Sequence, residues 1–101
     1  MANDTVFSIE RVDSGPPVRF RCAGELDLAG APEVTEAVGA VADTDVELDF
    51  SDVSFLDSSG IGALVAQQAR LRESGHRMRL VGLQALPRRS LKTLGLLDEL
   101  T

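Results

Sequence analysis

The sequence predicts one α/β domain: a mixed four-stranded sheet in the order ββαβαβα, with its helices mainly on one face. Three observations carry this reading. The chain has 101 residues, the length of a single domain spanning residues 1–101. Four short segments alternate apolar and polar residues, the period of a half-buried strand. Segments with apolar residues at helical spacing follow the second, third and fourth of them. A sheet covered on both faces has continuously apolar strands, so clean alternation leaves one face to water.

The elements follow in order. Residues 1–5 are expected to be flexible. From Val6 to Val12, Phe7 and Ile9 alternate with Ser8 and Glu10. Asp13-Ser14-Gly15-Pro16-Pro17 is a turn cluster, and Val18, Phe20 and Cys22 then alternate with Arg19 and Arg21, which completes a hairpin. Pro32 sits where a first helical turn tolerates it, and Val34, Ala37, Val38 and Val41 share one helical face until Asp43-Thr44. The third strand, Asp45 to Phe50, points Val46, Leu48 and Phe50 inward. The longest helix carries Leu64, Val65, Gln68 and Leu71 on one stripe, and Gly75 suits the left-handed residue after its end. Arg77 to Val81 is the fourth strand, Pro87 to Leu94 the last helix closed by Gly95, and Leu96, Leu97 and Leu100 form an apolar tail that must dock. With the second strand beside the third, Arg19 and Arg21 face Asp45, Glu47 and Asp49 across the wet face, and Arg77 and Arg79 do so from the fourth.

Composition excludes several functions. Hydrophobic residues make up 44% and charged residues 26%, the balance of an ordinary globular domain rather than a disordered chain. Without Trp or Tyr, aromatic stacking of bases or sugars is not expected. Sixteen acids against ten bases leave a net charge of −6, which opposes nucleic acid and anionic membranes as partners. Cys22 stands alone, so neither an internal disulfide nor a cysteine-rich zinc site forms. No basic, apolar leader opens the chain and no apolar run approaches the roughly 20 residues that span a bilayer, so the cytoplasm is the expected compartment.

The charge is unevenly spread. Residues 1–57 hold thirteen acids and three bases, residues 58–101 three acids and seven bases. The simplest reading is electrostatic matching between the two halves; the alternative is a polarised surface for a partner.

No catalytic constellation is expected, and neither a cofactor nor a metal. Gly60-Ile61-Gly62 supplies only the first two glycines of a dinucleotide fingerprint, with Val65 at the third place, and no phosphate loop with its Lys-Ser/Thr pair is present. The acids from Asp43 to Asp52 alternate along a strand, which makes a row and not a cage for a cation. His76, the one candidate base, lies beyond the far end of the longest helix from the serines that open it.

One segment is not explained by the core: Leu56-Asp57-Ser58-Ser59-Gly60-Ile61-Gly62, joining the third strand to the longest helix. Functional groups of open α/β sheets gather at such strand ends. Asp57 can cap the helix, and Ser58 and Ser59 then lie among unpaired N–H groups at the positive end of the helix dipole. A phosphoryl group on serine suits that place. The residues alone fit equally a plain helix start, with Asp and Ser as common N-caps and the glycines there for close helix–strand packing.

Residues 50–64 around this segment resemble the signature of the anti-sigma factor antagonists, the small STAS-domain proteins of bacterial partner switching. Gly24-Glu25-Leu26-Asp27 matches the family's loop after the second strand, and Arg88-Arg89-Ser90-Leu91-Lys92-Thr93-Leu94-Gly95-Leu96 its final helix. The resemblance spans about residues 6–97 and implies a STAS-like fold. It also implies a non-enzymatic switch. The unphosphorylated antagonist binds an anti-sigma factor, a serine kinase with a histidine-kinase-like ATPase fold, and frees the sigma factor. Phosphorylation of Ser58 ends binding until a PP2C-type phosphatase reverses it. Asp27, Asp57, Ser59, Gly60 and Ile61 are the implied partner-binding residues. Many relatives continue through another strand and helix where this sequence ends. The family's alternative role is that of an accessory subunit in lipid or anion transport, and the serine in the signature favours the switch.

Overall fold

The computed structural model describes residues 6–101; the flexible segment expected at residues 1–5 lies outside them. The strands β1 (Ser8–Asp13), β2 (Val18–Leu26), β3 (Val46–Leu56) and β4 (Met78–Val81) form one sheet in chain order. β1 and β2 make the antiparallel hairpin, and β2, β3 and β4 run parallel. The helices α1 (Ala31–Gly39) and α2 (Ser58–Glu73) are the two crossovers. Both crossovers step the same way across the sheet, and right-handed connections then put both helices on one face. Val18, Phe20, Cys22, Val46, Leu48, Phe50, Met78 and Leu80 are buried beneath them, while Arg19, Arg21 and Arg79 stay in water. Cys22 is fully buried, and desolvation pushes its thiol up to about 12.

On the wet face the pairing follows the register. Arg19 lies beside Glu47 with a 3.1 Å ion pair, Arg21 beside Asp49, and Arg79 beside Glu47. Such exposed pairs set register more than stability. The Ser51 N–H, 2.9 Å from Asp49 Oδ1, holds the Asp49 carboxyl below the usual carboxylate range. That contribution to stability is present above the unfolded carboxylate pKa and is lost as pH falls through the lower folded value.

Several boundaries differ from the sequence reading. β2 and β3 continue past Cys22 and Phe50 to Leu26 and Leu56. The reason is bulging: β3 fits extra residues against β2 between Asp49 and Asp52 and again between Val53 and Phe55. Each extra residue flips the inward phase, so the buried positions change from Val46, Leu48 and Phe50 to Val53 and Leu56. α1 ends at Gly39, leaving Val41 buried in the following loop, and α3 (Ala85–Thr93) begins before Pro87. The apolar tail folds as a short added helix, α4 (Leu97–Leu100), with Leu100 fully buried. Gly75 and Gly95 both take positive φ, and the next N–H reaches back to Leu71 O and Leu91 O, closing α2 and α3 as Schellman-type ends.

The charge halves do not match as expected. Among the described residues, no Lys or Arg side chain of one half forms an ion pair with a carboxylate of the other; His76 Nδ1 lies 3.4 Å from Asp45 Oδ1. α1 packs on β1 and α2 while α3 packs on β3 and α4, which leaves the acids of α1 and the bases of α3 facing water.

One buried amide on α2 ties the β4 edge to the C-terminal helix α4. Gln68 on α2 is 1% exposed; its Nε2 donates to Met78 O and Glu99 O at 2.8 Å, and its Oε1 accepts from Met78 N at 2.7 Å. The amide thus occupies the edge of β4 that faces away from β3, the place a further strand's backbone would fill. Arg70 does a parallel service for α1, donating to Val38 O at 2.9 Å and Val41 O at 3.1 Å at that helix's negative end.

Gln68→Leu keeps the volume and strands the Met78 amide, so urea unfolding should show a loss of about 2–4 kcal/mol. The Cys22 thiol should resist an aromatic disulfide reagent at pH 8 in the native protein and react at once in denaturant.

Candidate functional site

The site is built where β2 and β3 end side by side. The Asp57 N–H donates to Leu26 O at 3.1 Å, so the loops following these two strands leave the sheet together. After β2, Asp27 organises the turn into α1. Its Oδ1 accepts from the N–H groups of Ala29 (3.1 Å) and Gly30 (3.2 Å), and its carbonyl accepts from Ala31 N at 2.9 Å. The turn pushes Leu28 into solvent, 73% exposed.

After β3, Asp57 is the N-cap of α2. Its backbone is extended (φ −107°, ψ 179°), its Oδ1 accepts from Gly60 N at 2.9 Å, and its carbonyl accepts from Ile61 N at 2.9 Å. Ser58 is the first residue of the helix and is exposed; Ser59 is half-buried. No carbonyl or side chain among the described residues accepts from the Ser58 and Ser59 N–H groups. These are the free donors of a helix start, and the dipole adds positive potential there.

Of the residues singled out by sequence, Asp27, Asp57, Ser58 and Ser59 share the surface at this end of the sheet, whereas Gly60 and Ile61 are buried. Gly60 seats the helix. A Cβ there would stand 2.6 Å from both the Leu26 carbonyl oxygen and Leu26 Cγ, so only glycine lets α2 begin against the end of β2. Ile61 anchors the same turn in the core. Gly62 differs: a Cβ there meets nothing within 4 Å. It lies four residues after Ser58, on the same ridge of the helix.

Two exposed apolar residues at this end escape the sequence reading, Leu28 and Phe55, the latter 38% exposed near the end of β3. Leu28 had a signal, an apolar residue in a turn with no periodic partner. Phe55 had none, because the bulges hide which way it faces. His76 sits beyond the other end of α2, a helix of 16 residues or about 24 Å, with its Nδ1 3.4 Å from Asp45. It is out of reach of Ser58.

The two glycines predict opposite outcomes. Gly60→Ala should lose about 1–3 kcal/mol by overpacking against Leu26. Gly62→Ala should gain up to about 1 kcal/mol from helix propensity alone. Urea denaturation of the two variants checks both signs.

The STAS-domain model described as "Mlab, STAS domain" matches residues 10–101. The anti-sigma-B factor antagonist of Listeria monocytogenes serovar 1/2a (strain ATCC BAA-679 / EGD-e) is 33% identical over 79 residues, covering 75% of this chain and 69% of that protein. Among solved structures, an anti-sigma factor antagonist from Mycobacterium paratuberculosis superposes with a TM-score of 0.79 at 25% identity, over 98% of this chain and 86% of that one. The anti-sigma factor antagonist SpoIIAA in its unphosphorylated form gives 0.73 at 27% identity, over 92% and 84%. The phosphorylated form of Bacillus SpoIIAA gives 0.64 at 27% identity, over 90% and 85%. With the family model running through both loops of the site, and a third of the aligned positions shared with the Listeria protein, the chain belongs to the STAS-domain family of anti-sigma factor antagonists.

Proposed function

We propose that the chain is a non-enzymatic, phosphorylation-controlled antagonist acting in the bacterial cytoplasm. Unphosphorylated, it binds an anti-sigma factor serine kinase and frees the sigma factor; phosphate on Ser58 ends the binding, and a PP2C-type phosphatase restores it. The observation that carries this reading is the position of Ser58, an exposed hydroxyl on the first residue of α2 beside free backbone donors. SpoIIAA, a protein of the same family, is solved in a phosphorylated form, which supports the same chemistry on this fold. The serine at that place favours the switch over the alternative, an accessory subunit of a lipid or anion transport system.

The switch follows from charge. Phosphorylation replaces a neutral hydroxyl with about −1.5 to −2 charges near pH 7. The chain's own helix end accommodates them through backbone N–H groups, so the fold survives with little rearrangement. The kinase does not: a surface made for a hydroxyl meets a bulky anion beside Asp57. An unpaired charge at an interface costs about 2 kcal/mol or more, which is roughly a thirtyfold loss of affinity. Asp57, Asp27 and Ser59 contact the kinase in this reading, and Gly60 and Ile61 hold the helix end that it meets.

The test is incubation with ATP and a histidine-kinase-like anti-sigma factor serine kinase, with mass spectrometry to locate the phosphate. Ser58→Ala should bind the kinase and take no phosphate. Ser58→Asp should bind more weakly than the native chain but better than the phosphorylated one, having one charge on a shorter arm. Phosphate on Ser58→Ala at the native rate, or on Ser59 in the native chain, overturns the assignment, as does undiminished kinase binding by the phospho-Ser58 form.

A further inference from the structure

The acids of the first half border a groove that the switch does not use. Between β1 and α1 lie two adjoining hollows of about 280 and 150 Å³ that share Glu33. Their floor is apolar. Ile9 and Ala37 line the first; Phe7 lines the second, packed so close to Gly30 that a Cβ there would stand 2.8 Å from the Phe7 Cβ. Val6, 60% exposed, stands at the mouth. Every ionisable residue lining either hollow is acidic: Asp27, Glu33 and Glu36. The Asp27 carboxylate is occupied by its own turn, whereas Glu33 and Glu36 have no ion-pair partner among the described residues. They stand three residues apart on one ridge of α1, about 5–6 Å from each other.

We infer that this groove is a second docking site for the same kinase, receiving a segment with an apolar side chain flanked by Lys or Arg; the inference rests on the reading of the chain as a kinase-binding antagonist. From Val6 to Ile9 the groove runs about 10 Å, the length of two helical turns or three to four extended residues. Apolar floor and unpaired acid rim complement a basic amphipathic segment. A second copy carries the same net charge of −6, which opposes self-association, and its basic face is confined to α3 with Arg88, Arg89 and Lys92. The groove also leads to the switch. Its second hollow reaches Asp27, whose loop is tied through Leu26 to Asp57. Phosphate on Ser58 leaves the groove unchanged, so the groove supplies affinity common to both states and Ser58 supplies the difference between them.

The experiment is calorimetric titration of the full chain with the kinase at low and moderate salt. Glu33→Lys/Glu36→Lys should raise Kd about tenfold or more, by the same factor in Ser58→Ala and Ser58→Asp backgrounds, and should flatten the salt dependence. Glu36→Lys alone, exposed and beyond the first turn of α1, should give part of the loss and carries the test if the double variant is unfolded by circular dichroism. Native affinity in the charge-reversed chains while Ser58→Asp is weakened overturns the groove and leaves the switch standing. A loss confined to the charge-reversed chains, with Ser58→Asp binding normally, upholds the groove and removes the switch. A concentration-dependent dimer in sedimentation that Glu33→Lys/Glu36→Lys dissolves, or tighter kinase binding after deletion of residues 1–5, overturns the assignment in favour of a second copy or of the chain's own N-terminus.

Discussion

The contact between Leu26 and the turn Asp57–Gly60 is the constraint on which the rest of the molecule depends. One hydrogen bond joins the ends of β2 and β3, and the bare Cα of Gly60 lets α2 start directly against the Leu26 carbonyl. From that start α2 runs back across the buried face to Gln68, which satisfies the open edge of β4 and fastens α4. A shift at Gly60 would be felt along the helix, because cores repack in steps and not continuously. The same contact presents Ser58 outward at a helix end whose donors are free.

This arrangement separates the work of folding from the work of recognition. The capping bond of Asp57, the seat of Gly60 and the anchor of Ile61 are all spent on holding the helix end. Ser58 makes no contact that the fold needs, so chemistry on its hydroxyl can change the surface without changing the core. An exposed residue that costs nothing to modify, held on a rigid support, is a good place for a binary signal.

The charge distribution completes the picture. The carboxylates of α1 and the guanidinium and ammonium groups of α3 are exposed, α1 packing on β1 and α2 and α3 on β3 and α4. Charges left unpaired on a folded surface are free to steer and orient a partner.

The local period and the turn residues by themselves determined the hairpin, the strand and helix order, the alternation that leaves one sheet face wet, and the helix ends at Gly75 and Gly95, because each depends on neighbours within a few positions. The serine of the signature was legible for the same reason: an Asp cap followed by Ser is a local pattern. Only the tertiary structure decided the extent of β3, since its bulges break the alternation at Ser51 and are set by pairing with β2. It alone decided that Gly60 is needed and Gly62 is not, two glycines two residues apart in one helix start, one facing a packed carbonyl and the other open solvent. The groove beside α1 was equally out of reach, because Phe7 meets Gly30, and Ile9 comes near Glu36, only when the first strand and α1 are packed together. Long-range contact is what a one-dimensional pattern does not encode.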